Sequence, residues 1–171
     1  MYFEPLMTTT IIVPVTEEYP IIKKLTGLFD VDVFEEFELT HNMAHINKNG
    51  IYFNNFHRKR FNDGLILRIL FHELAHHLMH VSTFNRGKVW LFPDAYARME
   101  VEAETVANTI LKRIVAPTDI IEESNQYIEA HKKRLSDHEP IDASDINYSI
   151  ERIYDAYLTA TDDVYKKVKE A

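Results

Sequence analysis

The chain has 171 residues, 46% of them hydrophobic and 12% aromatic, with a formal net charge of −8 and no cysteine. That length and apolar content suit one globular domain over residues 1–171 and exclude a disordered chain. The acidic balance disfavours nucleic acid as a direct partner, because phosphate binding needs a basic face, and the lack of thiols excludes both a disulfide scaffold and a thiolate metal site.

No apolar run approaches the ~20 residues of a membrane span. Met1 to Met7 carries Glu4 and no basic residue, which does not read as a signal peptide. A cytoplasmic protein with no membrane partner is therefore expected.

Thr8 to Val15 is β-branched and reads as a short strand, at an edge because of Pro14. Glu17 to Leu28 carries Tyr19, Ile22 and Leu25 at helical spacing, with Pro20 compatible only with the first turn and Gly27 weakening the end. Val31 to Leu39 reads as a strand. Asn47-Lys48-Asn49-Gly50 is a turn signal between two apolar runs, so a hairpin of about 42–47 with 50–54 is expected. The basic cluster His57-Arg58-Lys59-Arg60 reads as a solvated turn.

Asn62-Asp63-Gly64 supplies an N-cap for a helix over about 63–80. The segment 81–92 holds the chain's only tryptophan, Trp90, and reads as a loop that either covers a site or forms a surface. Pro93 suits the first turn of the next helix, which runs to about Val115. Thr118-Asp119 is read as the cap of a helix over about 118–134. A polar loop at 135–143 and a long amphipathic helix over about Ser144–Lys169 complete the chain. The fold class expected is α+β, a zincin-like single domain: a small N-terminal antiparallel sheet on a helical core, with the catalytic part at about 45–117 and a helical part at about 118–171.

The chemistry sits in His72-Glu73-Leu74-Ala75-His76, an HExxH motif on an apolar helix. Two histidines four apart project from one helix face, so both imidazoles can bind one Zn²⁺ at roughly 2.0–2.1 Å. Glu73 follows the first ligand and flanks the metal, where it can take a proton from the water the metal activates. Catalysis by Glu73 needs a third protein ligand beside His72 and His76. The helix from Met99 to Asn108 offers Glu100, Glu102 and Glu104. Glu100 is the first choice, because small Ala103 and Ala107 share its face and permit close packing. Glu104, one turn on, suits a hydrogen bond to a ligand imidazole. Glu102 lies nearly opposite and is expected to face elsewhere; it and Glu104 are the fallback ligands. The bland alternative for this segment is a solvent-exposed acidic helix.

His80 is expected to lie past the metal and His77 to point away, and at most one of His41, His45 and His57 is expected near the cleft. Tyr96, His131 and Tyr148 are candidates for stabilising an oxyanion.

The run Asn49 to Asn54, a basic linker, Leu70 to His80, and then Glu100-Val101-Glu102-Ala103 with Val106-Ala107 and Ile110-Leu111 resembles the ImmA/IrrE family of metallopeptidases over about 45–117. The chain departs from that pattern at Glu104, where the family usually has Asn or Asp, and at Val106, where it has an aromatic residue. The closing Met-Pro is displaced to Ala116-Pro117. The resemblance implies a zincin-like fold and a zinc endopeptidase whose substrate is a regulatory protein such as a transcriptional repressor. No helix-turn-helix pattern reads out of this chain, so a role in gene regulation is expected to run through a protein partner. The competing expectation is a non-catalytic zinc-binding protein that sequesters such a partner.

Overall fold

The computed structural model describes residues 13–81, 93–135, 141 and 143–170. Its elements are α1 (Val15–Glu18), α2 (Ile21–Gly27), β1 (Val33–Glu36), β2 (Ala44–Asn47), β3 (Gly50–Asn54), a 3₁₀ helix (Asn55–Arg60), α3 (Asp63–Met79), α4 (Pro93–Arg113), α5 (Thr118–Lys132) and α6 (Ala143–Glu170). The architecture is α+β and mostly helical. Among the described residues no helix is long and apolar enough to cross a membrane.

The sheet corrects one expectation. Its order is β1-β3-β2, and it is mixed rather than antiparallel. The hairpin expected at 42–54 forms as β2 against β3, with Ala44 opposite Phe53 and Asn47 opposite Gly50. β1 pairs with the other edge of β3 in parallel, Val33 beside Ile51. The connection 37–43 carries the chain past the sheet so that β3 inserts between β1 and β2. Hydropathy along a strand reports its faces and says nothing about which neighbour pairs with it, so this order was not readable from pattern alone.

Asn54 secures that connection. Its side chain accepts from the backbone N–H of Glu38 (3.0 Å) and Phe56 (3.1 Å) and donates to the carbonyls of Glu38 and Asn42 (both 2.9 Å). Ile51 and Phe53 turn to the core. Tyr52 turns to the other face, between Phe34 and His45, with ring centroids 4.8 and 4.9 Å away.

The N-terminal helix is broken. Val15–Glu18 and Ile21–Gly27 are separate helices with Pro20 as the N-cap of the second, because proline has no N–H to continue the first. Val15 is therefore helical, and the rest of the expected strand at 8–15 falls mainly on residues outside those described. The loop 82–92 with Trp90, and most of the loop at 135–143, also lie outside them. The α5 N-terminus carries a second correction: Pro117 is its N-cap and no side chain caps it, so Thr118 and Asp119 lie within the helix.

α3 starts where Asn62 Oδ1 accepts from Leu65 N–H at 2.9 Å. It packs against α4, which in turn packs against α5 and α6. Phe71, Leu74, Ala103, Ala107, Ile110 and Leu111 are buried in one core between these helices. Ala103 and Ala107 have no bulk beyond Cβ, which lets α4 approach α3 closely.

Candidate metal centre

α3 carries His72 and His76 one turn apart on the face that meets α4. Their Nε2 atoms lie 3.1 Å from each other. From α4, Glu100 places Oε2 2.6 Å from His76 Nε2 and 3.6 Å from His72 Nε2. Tetrahedral zinc with ligand bonds of roughly 2.0–2.1 Å has ligand atoms about 3.3 Å apart, and the three observed separations bracket that value. His72, Glu73 and His76 also offer ligand atoms within 4.8 Å of one another. Glu100 Oε2 is the carboxylate oxygen in direct contact with His76 Nε2, which makes Glu100 the candidate third ligand.

The donor set fits a cation. His72 Nδ1 faces Glu104 Oε1 at 2.8 Å, and a carboxylate only accepts, so the proton belongs on Nδ1 and the Nε2 lone pair is free. That lone pair points to where His76 Nε2 and Glu100 Oε2 converge. Three lone-pair atoms at such distances repel unless positive charge lies among them, and a single proton serves only one pair at a time.

The surrounding carboxylates draw positive charge into the centre. Burial opposes the charged form of His72, but the adjacent Glu100 and Glu104 carboxylates prevail and raise its pKa well above the ordinary value. Burial lowers His76 to about 4. Burial also opposes ionisation of Glu100, yet the His76 and His72 imidazoles hold its carboxyl well below the usual range. Glu73, one residue from His72, is pushed up to about 8 by burial, with Glu100 and Glu104 adding to the rise. Its carboxyl lines the cleft.

The acidic segment of α4 is not solvent-exposed. Glu100, Glu102 and Glu104 are 7%, 2% and 1% exposed. Helix α4 packs against α3, α5 and α6, and these three carboxylates are buried although Arg98, Thr105 and Thr109 of the same helix stay partly exposed. Glu104 Oε2 accepts from Arg68 Nε (2.9 Å) and Ser124 Oγ (2.6 Å). Glu102 does point away from the convergence of His72, His76 and Glu100, but it ends on His80, with Oε1 2.8 Å from the Nε2 of that ring. His80 lies past the convergence point and contacts His76 through Nδ1 at 2.8 Å.

Sequence reasoning missed two residues of α5. Tyr127 donates its hydroxyl to Glu100 Oε1 at 2.5 Å. Burial and the Glu100 charge raise the pKa of that hydroxyl strongly, so it stays protonated and able to donate. Ser124 is fully buried and links Glu104 to Asn108, whose Nδ2 donates to Ser124 Oγ at 3.0 Å. Neither residue has a spacing signal in the sequence; only the packing of α5 on α4 brings them in.

The cleft beside the centre is lined by Asn42, Ala44, His45 and Ile46 on one side and by Tyr96 and Tyr127 on the other. Burial, then the nearby Glu100 and Glu73 charges, push the Tyr96 hydroxyl up to about 12. His41 lines the cleft as well as His45, where at most one of the early histidines was expected. His57 instead sits 2.6 Å from the carbonyl of Thr40 through Nε2. His77 does not line the cleft. His131 packs against Tyr127 with the rings tilted by 30° and centroids 4.2 Å apart, and Tyr148 is 59% exposed on α6. Comparison with protein-family models, with curated proteins and with solved structures finds no match to this chain.

Proposed function

We propose that this chain is a zinc-dependent endopeptidase of zincin-like fold. The single observation that carries the reading is the convergence of His72 Nε2, His76 Nε2 and Glu100 Oε2 beside the buried Glu73 carboxyl. The resemblance of residues 45–117 to the ImmA/IrrE metallopeptidases supports it.

His72, His76 and Glu100 would hold the metal. Zinc at such a centre supplies a Lewis acid and a water of lowered pKa. Glu73 would accept a proton from the attacking water at its carboxylate and return it to the leaving amine. Tyr96 lines the same cleft with a protonated hydroxyl close to Glu100 and is the candidate donor to the developing oxyanion. Among the described residues β2 is an edge strand along the same cleft, so an extended peptide can pair with its outer edge. The substrate proposed is a specific regulatory protein of the repressor type, acted on in the cytoplasm. This acidic chain is not expected to touch nucleic acid itself.

The test is cleavage of candidate repressor proteins by the zinc-loaded protein and by Glu73→Gln. Loss of cleavage by at least about 10³-fold with zinc retained supports Glu73 as the base. Undiminished cleavage removes it from that role. Stoichiometric capture of the partner with no cleavage by the wild type replaces the peptidase with the sequestering protein.

A further inference from the structure

The two metal-facing histidines are oriented by different devices. His72 meets a carboxylate directly, through Glu104. His76 Nδ1 meets a second imidazole, that of His80, whose Nε2 faces the Glu102 carboxylate. His80 is the C-cap of α3 and is buried, its backbone N–H donating to the carbonyl of His76 at 2.7 Å. Glu102 is held in turn by Arg98, whose Nη1 lies 3.2 and 3.3 Å from the two carboxylate oxygens.

The protons along this chain of contacts can be assigned from hydrogen-bond chemistry. A carboxylate beside a guanidinium only accepts, so His80 Nε2 carries the proton that faces Glu102. A neutral imidazole protonated at Nε2 has its lone pair at Nδ1. That lone pair lies 2.8 Å from His76 Nδ1, so the proton between the rings belongs to His76. His76 is then left with its lone pair on Nε2, the atom that faces His72 and Glu100. His80 is not a fourth ligand. Its Nε2 is turned to Glu102, and its Nδ1 meets the side of the His76 ring away from the convergence point.

We propose that His80, anchored by Glu102, is a positioning residue that fixes His76 as the Nδ1–H tautomer and so reserves its Nε2 for the metal. This rests on the reading of His72, His76 and Glu100 as metal ligands. The residue types follow from the proposal: position 80 needs a hydrogen-bond acceptor at the place of Nδ1, and position 102 needs an acceptor that draws the His80 proton to Nε2.

Two measurements test it. Long-range ¹H–¹⁵N spectra of the ¹⁵N-labelled, zinc-loaded wild type read each imidazole's tautomer. The result expected is Nδ1–H on His76 and Nε2–H alone on His80. A His80 protonated at Nδ1, or at both nitrogens, overturns the proposal. Zinc affinity is then measured by competition with a chromophoric chelator. His80→Leu, which removes the acceptor, weakens binding by about 10–100-fold. His80→Asn, whose amide oxygen takes the place of Nδ1, stays within about threefold of wild type. His77→Ala, a neighbour that does not line the cleft, leaves affinity unchanged. Equal affinity in wild type and His80→Leu overturns the positioning role while leaving the metal site standing. A wild type that binds no zinc removes the metal site and this role with it. If His80→Leu does not fold, the wild-type spectrum decides, and a large affinity loss in His80→Asn counts against the proposal.

Discussion

Glu104 Oε1 lies 2.8 Å from His72 Nδ1, while the other oxygen of the same carboxylate takes hydrogen bonds from Arg68 and Ser124. One carboxylate thus joins α3, α4 and α5 and sets the tautomer of a histidine in the centre. Replacing Glu104 with Ala leaves the buried Arg68 guanidinium without its buried partner and His72 without its acceptor. The expected loss is about 3–5 kcal/mol of unfolding free energy, read by urea denaturation of the metal-free protein. Arg68 retains a 3.6 Å contact with the half-exposed Glu123, which screens only part of that loss. A loss below about 1 kcal/mol contradicts the structural role given to Glu104.

Tyr127 acts on the other end of the site. Its hydroxyl donates to the Glu100 oxygen that does not face the histidines, which aims Oε2 at them. Tyr127→Phe keeps the ring, with its packing against His131 and its contact with Arg68, and removes only the donor. Zinc affinity should fall about tenfold in a chelator competition with little change in thermal midpoint of the metal-free protein. Unchanged affinity would show that Glu100 is positioned by its backbone and the histidines alone.

Gly50 tests the sheet. Its φ is +149°, and an added Cβ would sit 2.2 Å from the carbonyl oxygen of Asp32, the residue that precedes β1. Gly50→Ala combines backbone strain with a clash against main chain, for an expected cost on the order of 3 kcal/mol. The close approach exists because β1 runs beside β3, where Ile51 N–H donates to Asp32 O at 2.9 Å. A neutral substitution, judged by chemical denaturation, would count against that parallel pairing.

Metal removal gives a further check. A ligand that binds only the folded state stabilises it by RT ln(1 + [L]/Kd), about 4 kcal/mol at 1,000 times Kd. The zinc-loaded protein should therefore melt several degrees above the chelator-treated protein, and the difference should vanish in His76→Ala. A difference that persists in that variant would place the zinc elsewhere.

The long helices and the hairpin were legible because each carries a local signal: Asn62 before an apolar run, Asn47 to Gly50 between two strands, Pro93 and Pro117 at helix ends. The convergence of His72, His76 and Glu100 was also legible, since i,i+4 spacing and small residues at 103 and 107 are helix-face properties. The parallel place of β1 was not, because it depends on the path of the connection 37–43 that Asn54 ties down. The break at Pro20 was half legible: the proline was read as a first-turn residue, but of one helix rather than of the second of two. The roles of Tyr127, Ser124 and the His80–Glu102 contact were hidden for a common reason. A helical wheel for α4 assigns Glu102 away from Glu100, but it cannot show that α4 is enclosed on several sides, so that a carboxylate facing elsewhere still meets a buried imidazole.

The central claim is the metal centre, and elemental analysis of the purified protein after zinc reconstitution tests it most directly, with His76→Ala and Glu100→Ala alongside. The account predicts about one zinc per chain in the wild type, lost in both variants. No zinc in the wild type would contradict the metal site and the peptidase built on it, and zinc retained in Glu100→Ala would contradict Glu100 as the third ligand.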